Sequence, residues 1–310
     1  MYRTAVNTIY LAPMENQHKS GFVNIIGRPN VGKSTLMNAL VGEQMSIVTH
    51  KPQTTRHRIF GILSGEHFQI VFSDTPGMIK QPRYRMQEQM NSFVEGTFED
   101  ADLFLLVVYP GEVYEAEDPI FKKLESTKAP VILVINKADI SDQKSLQEYE
   151  RSWASRFQFN TIFILSALHQ FNTQGLLQYI LEQLPEGPAY YPKDEISDRS
   201  ERFFASEIIR EKIFLQYQKE IPYSCEVVID EFKEDPESKG LIRIYSTIYV
   251  ARKTQKSILI GKNGMKIKEL GTEARKHLER FFEQRVYLEL FVKVKENWRD
   301  DDRSLKYFGY

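Results

Sequence analysis

Apolar residues come in short blocks through the first 184 positions of the chain, separated by polar turns. "FVNIIG", "IFGIL", "FQIVFSD", "LFLLVVY", "VILVIN" and "TIFILS" are runs of five to seven residues rich in β-branched and aromatic side chains. Runs so short and so uniformly apolar predict strands buried on both faces, and the helical periodicity between most of them predicts covering helices. The implied fold is α/β, a mostly parallel sheet flanked by helices. "SGEH" between the second and third runs is too short for a crossover helix, so that edge pair is expected to be an antiparallel hairpin.

The pattern changes after "PEGPAYYPKDEISD", where three prolines and a glycine interrupt helical periodicity. Residues 185–199 therefore read as a linker between a first domain, 19–184, and a second, 200–310. The second begins with a long helical run, "SERFFASEIIREKIFLQYQKEI", followed by the strand-like "CEVVIDEF" and "LIRIYSTIYV". A short helix "TQKSILI", the loop Gly261 to Gly264, a helix "MKIKELGTEARKHLERFFEQ" and a last strand "VYLELFVKVK" complete it. Ile258, Ile260, Ile267, Phe281 and Phe282 read as packing residues, and Cys225, the single cysteine, as core on a strand.

Composition narrows the class. A chain of 310 residues with 42% hydrophobic and 27% charged residues can bury two cores. One cysteine cannot form an internal disulfide, which suits a reducing compartment or indifference to redox state. No run approaches the roughly 18 apolar residues of a spanning helix. Residues 1–18 lack the apolar core and cleavage pattern of a secretory signal, and read as a disordered extension or as a start placed upstream of Met14. The net charge of −1 hides an asymmetry: Lys239 to Arg285 holds twelve Lys or Arg against four Glu. Such a block suits nucleic acid, or a merely solvated face, and charge alone does not choose.

The motifs do. Gly27, Arg28, Pro29, Asn30, Val31, Gly32, Lys33 and Ser34 fit G-x-x-x-x-G-K-[ST], after a strand and opening the helical run that continues with Thr35. Glycines let backbone N–H groups close around phosphate oxygens at the positive end of a helix. Lys33 would reach the β- and γ-phosphates, and Ser34 would offer a hydroxyl to Mg2+. "DTPG", Asp74, Thr75, Pro76 and Gly77, follows the third strand, where a carboxylate can hold Mg2+ through water and the Gly77 N–H can reach a γ-phosphate. "NKAD" follows the fifth strand. Its Asp139 would pair both N1–H and the 2-amino group of guanine, whereas adenine would leave the charge unpaired at a cost of ~1–3 kcal/mol. Asn136 would tie base and loops together, and the stem of Lys137 would cover the ring. "SAL", Ser166, Ala167 and Leu168, would supply the Ala167 N–H to guanine O6; read alone, it is an ordinary helix N-cap.

In this order, each at a strand end, these motifs resemble a Ras-like GTPase domain of the translation-factor-related bacterial kind. The resemblance implies GTP/GDP and Mg2+ as ligands. It makes "EQMSIVTHKPQTTRHRI" the first switch, with Thr55 adding a hydroxyl to Mg2+ and Thr54 the rival for that role. Lys33, Thr55, Gly77 and Asn30 are then the candidate catalytic residues, and Ser34, Thr55 and Asp74 the metal set. Met78 stands where Ras-type enzymes orient the attacking water with glutamine, and a thioether cannot do so. Slow intrinsic turnover is expected. Asn30 resembles the asparagine that holds K+ in potassium-activated relatives, although a turn residue tolerating unusual φ is an equal reading.

Helix, strand, strand, helix, GxxG, helix, strand is the order of the α+β KH (type II) domain. That fold clamps about four nucleotides against a thin glycine loop. Lys256, Gly261, Lys262, Asn263, Gly264, Lys266 and Lys268 are the candidate RNA contacts. The two domains together, with "QTTRHRI", "DRSERFFASEIIREK" and "VKVKENW", resemble the Era family of GTPases from about Lys19 to Tyr310. The resemblance implies a monomer that binds 16S ribosomal RNA near its 3′ end, not DNA, and assists assembly of the 30S subunit. It also implies a cytoplasmic location, with room for a peripheral contact on the inner membrane. A P-loop ATPase or kinase carrying an RNA domain is the enzymatic alternative, and a non-catalytic RNA scaffold with GTP as a structural ligand is the other.

Overall fold

The computed structural model describes residues 18–115, 118–235 and 240–310. The expected extension, save His18, lies outside these, as does Lys239. The described chain forms two compact units. The first holds the chain up to Ser46, Thr55–Met78 and Asn91–Asp198; the second holds Ile47–Thr54, Ile79–Met90 and Arg199–Tyr310.

In the first unit β1 (Lys19–Ile26), α1 (Lys33–Val41), β2 (Ile59–Ser64), β3 (Phe68–Asp74), β4 (Leu103–Val108), β5 (Val131–Ile135) and β6 (Thr161–Ile164) include every strand read from the apolar runs. The sheet order is β2-β3-β1-β4-β5-β6, with β2 antiparallel to β3 and the other pairs parallel. Every residue of β4 and β5 is buried, as expected of central strands covered on both faces. Helices α2 (Arg85–Gly96), α3 (Pro119–Ser126), α4 (Gln143–Ala154) and α5 (Thr173–Gln183) follow in the chain. Asp118 caps α3 and Asp142 caps α4, each accepting a backbone N–H two or three residues on. On one face Trp153 meets Tyr114, Phe121 and Phe159 edge-on or tilted, within a cluster built on β4 and β5.

The stretch read as a linker is bound to this unit. Buried Gln69 accepts the N–H groups of Tyr190 and Tyr191 and donates to Tyr191 O, while the Ile62 N–H reaches Ile196 O at 2.9 Å. Residues 185–198 thus satisfy groups along the β2 edge, a pairing that no proline count could reveal.

The second unit contains α6 (Glu201–Gln216), the single turn α7 (Ile221–Ser224), β7 (Cys225–Glu234), β8 (Leu241–Val250), α8 (Lys253–Ile260), α9 (Met265–Phe282), β9 (Arg285–Val294) and α10 (Asp302–Phe308). Its sheet runs β7-β8-β9, antiparallel then parallel. Ile208, Ile209 and Ile213 of α6 and Leu270, Ala274 and Leu278 of α9 cover one face, where Cys225, Ile248 and Val250 point. Alternate strand residues, Val228 and Tyr249, face a second cluster of Trp298, Leu305 and Phe308 with Met86 and Met90. The sequence reading had no helix at α10 and did not foresee that cluster. Ile258, read as packing, is 43% exposed. Its neighbour Leu259 takes the core position, because the turn of α8 presents only one residue of the pair inward.

Candidate nucleotide and RNA sites

The first glycine loop joins β1 to α1 in a conformation that only glycine supports at its ends. Gly27 has φ 146° and Gly32 φ 98°. A Cβ at Gly27 would lie 2.4 Å from Val107 O, and one at Gly32 2.3 Å from Asn136 Nδ2. Asn30 sits at φ 67°, and its carbonyl accepts Lys137 Nζ at 2.7 Å. Val31 is buried beneath the loop, and Thr35 is half-buried on α1. Lys33 Nζ donates to Gly27 O at 3.0 Å and Arg28 O at 2.9 Å. Burial lowers its pKa to about 8 against the pull of Asp74 and Glu112.

Ser34, Thr55 and Asp74 converge. Ser34 Oγ is 2.6 Å from Asp74 Oδ2 and 2.9 Å from Thr55 Oγ1, which is itself 3.3 Å from Asp74 Oδ2. Burial raises the Asp74 pKa although Lys33 opposes it, and Oδ1 is buried with no hydrogen-bond partner among the described residues. Two hydroxyls and a desolvated carboxylate are the hard oxygen set that suits Mg2+. Thr54, the alternative, bonds instead to Thr49 Oγ1 and Lys51 O. Thr75 ties the DTPG strand end to β1 through Ile25 O, and Pro76 is buried beside it. A Cβ at Gly77 would strike Pro29 N at 2.6 Å, so the two loops touch backbone to backbone.

The two loops expected to read the base meet the glycine loop through Asn136. Its Nδ2 donates to Val31 O and its Oδ1 accepts the Ala167 N–H, both at 2.9 Å. The amide expected at guanine O6 is thus engaged by Asn136 in this structure. Lys137, at φ 58°, lies 4.5 Å over the Tyr109 ring, and burial lowers its pKa. Asp139 is exposed rather than buried, and a 2.5 Å hydrogen bond from Ser166 Oγ holds its pKa low. Leu168, two residues after Ser166, is 71% exposed.

Arg28 turns away from the loop interior. Its guanidinium lies 3.8 Å over Tyr114 and donates to Val113 O and Asp118 Oδ2. Glu112 Oε1 is 4.0 Å from Arg28 Nε, and burial raises the Glu112 pKa to about 7 despite that cation. Sequence reasoning missed Glu112 and Tyr114, which lie in a stretch without a motif.

The second glycine loop is open. Gly261 (φ 72°), Asn263 (φ 51°) and Gly264 (φ 73°) turn the chain between α8 and α9. A Cβ at Gly261 would strike the Lys266 side chain at 2.7 Å, whereas at Gly264 nothing lies nearer than 4.0 Å. Lys262, Lys266 and Lys268 are exposed and Lys256 half-buried. An open groove of about 650 Å³ runs between α9 and β9, lined by Ile267, Lys268, Gly271, Arg275, Arg285, Tyr287 and Leu290 among others. The sequence reading had the lysines but not Arg275, Arg285 or Tyr287. The alternation of "VYLELFVKVK" holds the signal, since the residues that leave the core face every second position.

Known proteins match this arrangement unit by unit and as a whole. A family model described as a 50S ribosome-binding GTPase matches residues 22–137, and a KH domain model matches 220–299. "GTPase Era" of Syntrophus aciditrophicus is 47% identical over 94% of this chain and 95% of its own length. A chloroplastic "GTPase ERA-like" protein of rice is 44% identical over 94% of this chain and 70% of its own length. Among solved structures, Aquifex aeolicus Era bound to GDP.AlF4- superposes with a TM-score of 0.88 at 36% identity, covering 94% of this chain and 99% of that one. Era in complex with MgGDPNP and nucleotides 1506–1542 of 16S ribosomal RNA gives the same TM-score, identity and coverage. With the P-loop, the guanine loops and the GKNG turn in one chain, this protein belongs to the Era family of GTPases.

Proposed function

We propose that this GTPase is a switch whose nucleotide state governs binding of the 3′ end of 16S ribosomal RNA, in the service of 30S subunit assembly. The observation that carries the RNA half is the open groove between α9 and β9, on the helix that the GKNG turn opens, where Lys268, Arg275 and Arg285 outnumber Glu279 and Glu289 among apolar residues. Exposed lysines supply phosphate attraction, Gly264 leaves room for a sugar–phosphate backbone, and Tyr287 offers a ring for stacking. A relative of the same fold was solved with such an RNA and MgGDPNP.

In the nucleotide half, Lys33 neutralises charge on the β- and γ-phosphates, and its depressed pKa returns upward once those anions replace the two carbonyls. Ser34, Thr55 and Asp74 hold Mg2+, which supplies charge neutralisation at the phosphates. The Gly77 N–H faces the γ-phosphate, and Asp139 selects guanine. Met78, the residue directly after Gly77, is a thioether and cannot orient water there, so intrinsic turnover is slow. Asn30 holds K+ where an arginine would otherwise act. The protein works as a cytoplasmic monomer with at most a peripheral membrane contact, and no helix among the described residues is long and apolar enough to cross a membrane.

The test is affinity for a 3′-terminal 16S oligonucleotide with a nonhydrolysable GTP analogue and with GDP, together with GTP turnover in K+ and in Na+. Tighter RNA binding with the analogue and faster turnover in K+ are expected. Equal RNA affinity in both states would defeat the switch, and equal turnover in both salts the Asn30 role.

A further inference from the structure

The central piece of the first switch, Ile47–Thr54, belongs to the second unit, although Thr55, the next residue, lies at the Ser34–Asp74 set. The piece is folded on itself. Thr49 Oγ1 is 2.6 Å from Thr54 Oγ1, the Lys51 N–H donates to Thr49 Oγ1 at 3.2 Å, and Thr54 Oγ1 donates to Lys51 O at 2.8 Å. From this turn Lys51 Nζ donates to the backbone carbonyls of Phe214 and Tyr217. Those carbonyls end α6, where the helix leaves acceptors unmatched and its dipole is negative, so an ammonium group is well placed there. Earlier along α6, the Val48 N–H reaches Glu211 Oε1 at 3.4 Å.

Tyr217 faces both ways. Its N–H closes α6 on Ile213 O at 3.0 Å, and its ring is 4% exposed. Its hydroxyl donates to Leu259 O at 2.7 Å, two residues before Gly261, and Lys266 Nζ lies 5.9 Å over its ring. The residue that receives the switch lysine therefore also holds both sides of the GKNG turn. Burial pushes the phenol up to about 12, so it remains a donor at neutral pH.

Resting on the switch reading above, we propose that Lys51 and Tyr217 are positioning residues that carry the state of the first switch to the RNA-binding turn. With Thr55 at the Ser34–Asp74 set, the turn 47–54 is placed so that Lys51 caps α6. Tyr217 then fixes the carbonyl of Leu259 and with it the approach of Gly261. Withdrawal of Thr55 pulls the adjoining turn, releases Lys51 and loosens Tyr217, and the GKNG turn loses its preset shape. The device links the two sites through the difference in contacts between two states, which is what coupling requires.

Lys51→Gln, Tyr217→Phe and the double variant of the full chain, each checked for wild-type thermal unfolding, test it. RNA affinity is measured with a 3′-terminal 16S oligonucleotide, with the GTP analogue and with GDP. The ratio of the two affinities is expected to shrink about fivefold or more in each single variant, with the GDP-state affinity nearly unchanged. The double variant should lose no more than the larger single loss, because both act in one chain of contacts. RNA-free GTP turnover of Tyr217→Phe should stay near wild type. Equal loss in both nucleotide states, or an unchanged ratio, overturns the proposal. If Tyr217→Phe fails to fold, Lys51→Gln decides alone. A wild type with no nucleotide dependence would instead remove the switch reading itself.

Discussion

Two glycine loops in one chain hold lysines near phosphate by opposite means. At Gly27 and Gly32 the glycines are squeezed, with Val107 O and Asn136 Nδ2 standing where a Cβ would be. At Gly264 there is open space, and glycine is favoured by a φ of 73° rather than by crowding. Lys33 is buried and its pKa lowered to about 8, while Lys262, Lys266 and Lys268 stand in solvent. An enclosed loop suits one mononucleotide by shape; an open one suits a passing backbone by charge. The first should depend on geometry, the second on salt.

The largest effect expected is at the enclosed lysine. Lys33→Ala should lower GTP turnover by about 10²–10³-fold in a phosphate-release assay while the free protein keeps its fold. Asp139→Asn comes next, since it turns an acceptor into a mixed group facing two guanine donors. GTP affinity should fall about 100-fold in a titration, and XTP, which presents an acceptor there, should gain.

The glycines themselves give the sharpest comparison. Gly32→Ala drives a methyl into Asn136 and should abolish tight GTP binding. Gly264→Ala meets no neighbour within the protein but puts a methyl where a sugar–phosphate backbone would lie, so about a tenfold weaker RNA complex is expected with GTP affinity intact. Equal damage from both would erase the distinction drawn here. Lys262→Gln should weaken RNA binding a few-fold and reduce the slope of log affinity against log salt by about 0.7, with GTP binding unaffected.

The smallest effect is in pH. Glu112 has its folded pKa raised from 4.5 to about 7 by burial, so the native state prefers the protonated form. Its contribution to stability is full below about 4.5 and is lost as pH rises through 7. Glu112→Gln should flatten the fall in Tm of the nucleotide-free protein between pH 5 and 7.5. Arg28, Lys33 and Lys137 face this carboxylate and limit the shift.

The candidate phosphate and guanine loops could be located because each motif calls for a fixed residue type at a strand end, and six apolar runs marked those ends. The KH turn was legible for the same local reason. Less was visible where function comes from side chains spread along the chain. Arg275, Arg285 and Tyr287 share a groove only because α9 lies against β9, where Gly271 would place a Cβ 3.5 Å from Leu290. Residues 185–198 looked like a linker from their prolines, yet Gln69 of β3 binds Tyr190 and Tyr191, and Ile62 of the edge strand β2 bonds Ile196 O. The choice between Thr54 and Thr55 was undecidable from order alone; only Thr55 lies near Ser34 and Asp74.

The sequence by itself determined the two folds, the ligand class and the residues of both glycine loops, because hydrophobic period and φ demands are local properties of the chain. Tertiary structure decided which distant residues meet. Lys51 and Tyr217 stand 166 residues apart, and nothing in either neighbourhood marks one for the other. Their meeting depends on where a switch turn and a helix end come to rest, and packing alone sets that.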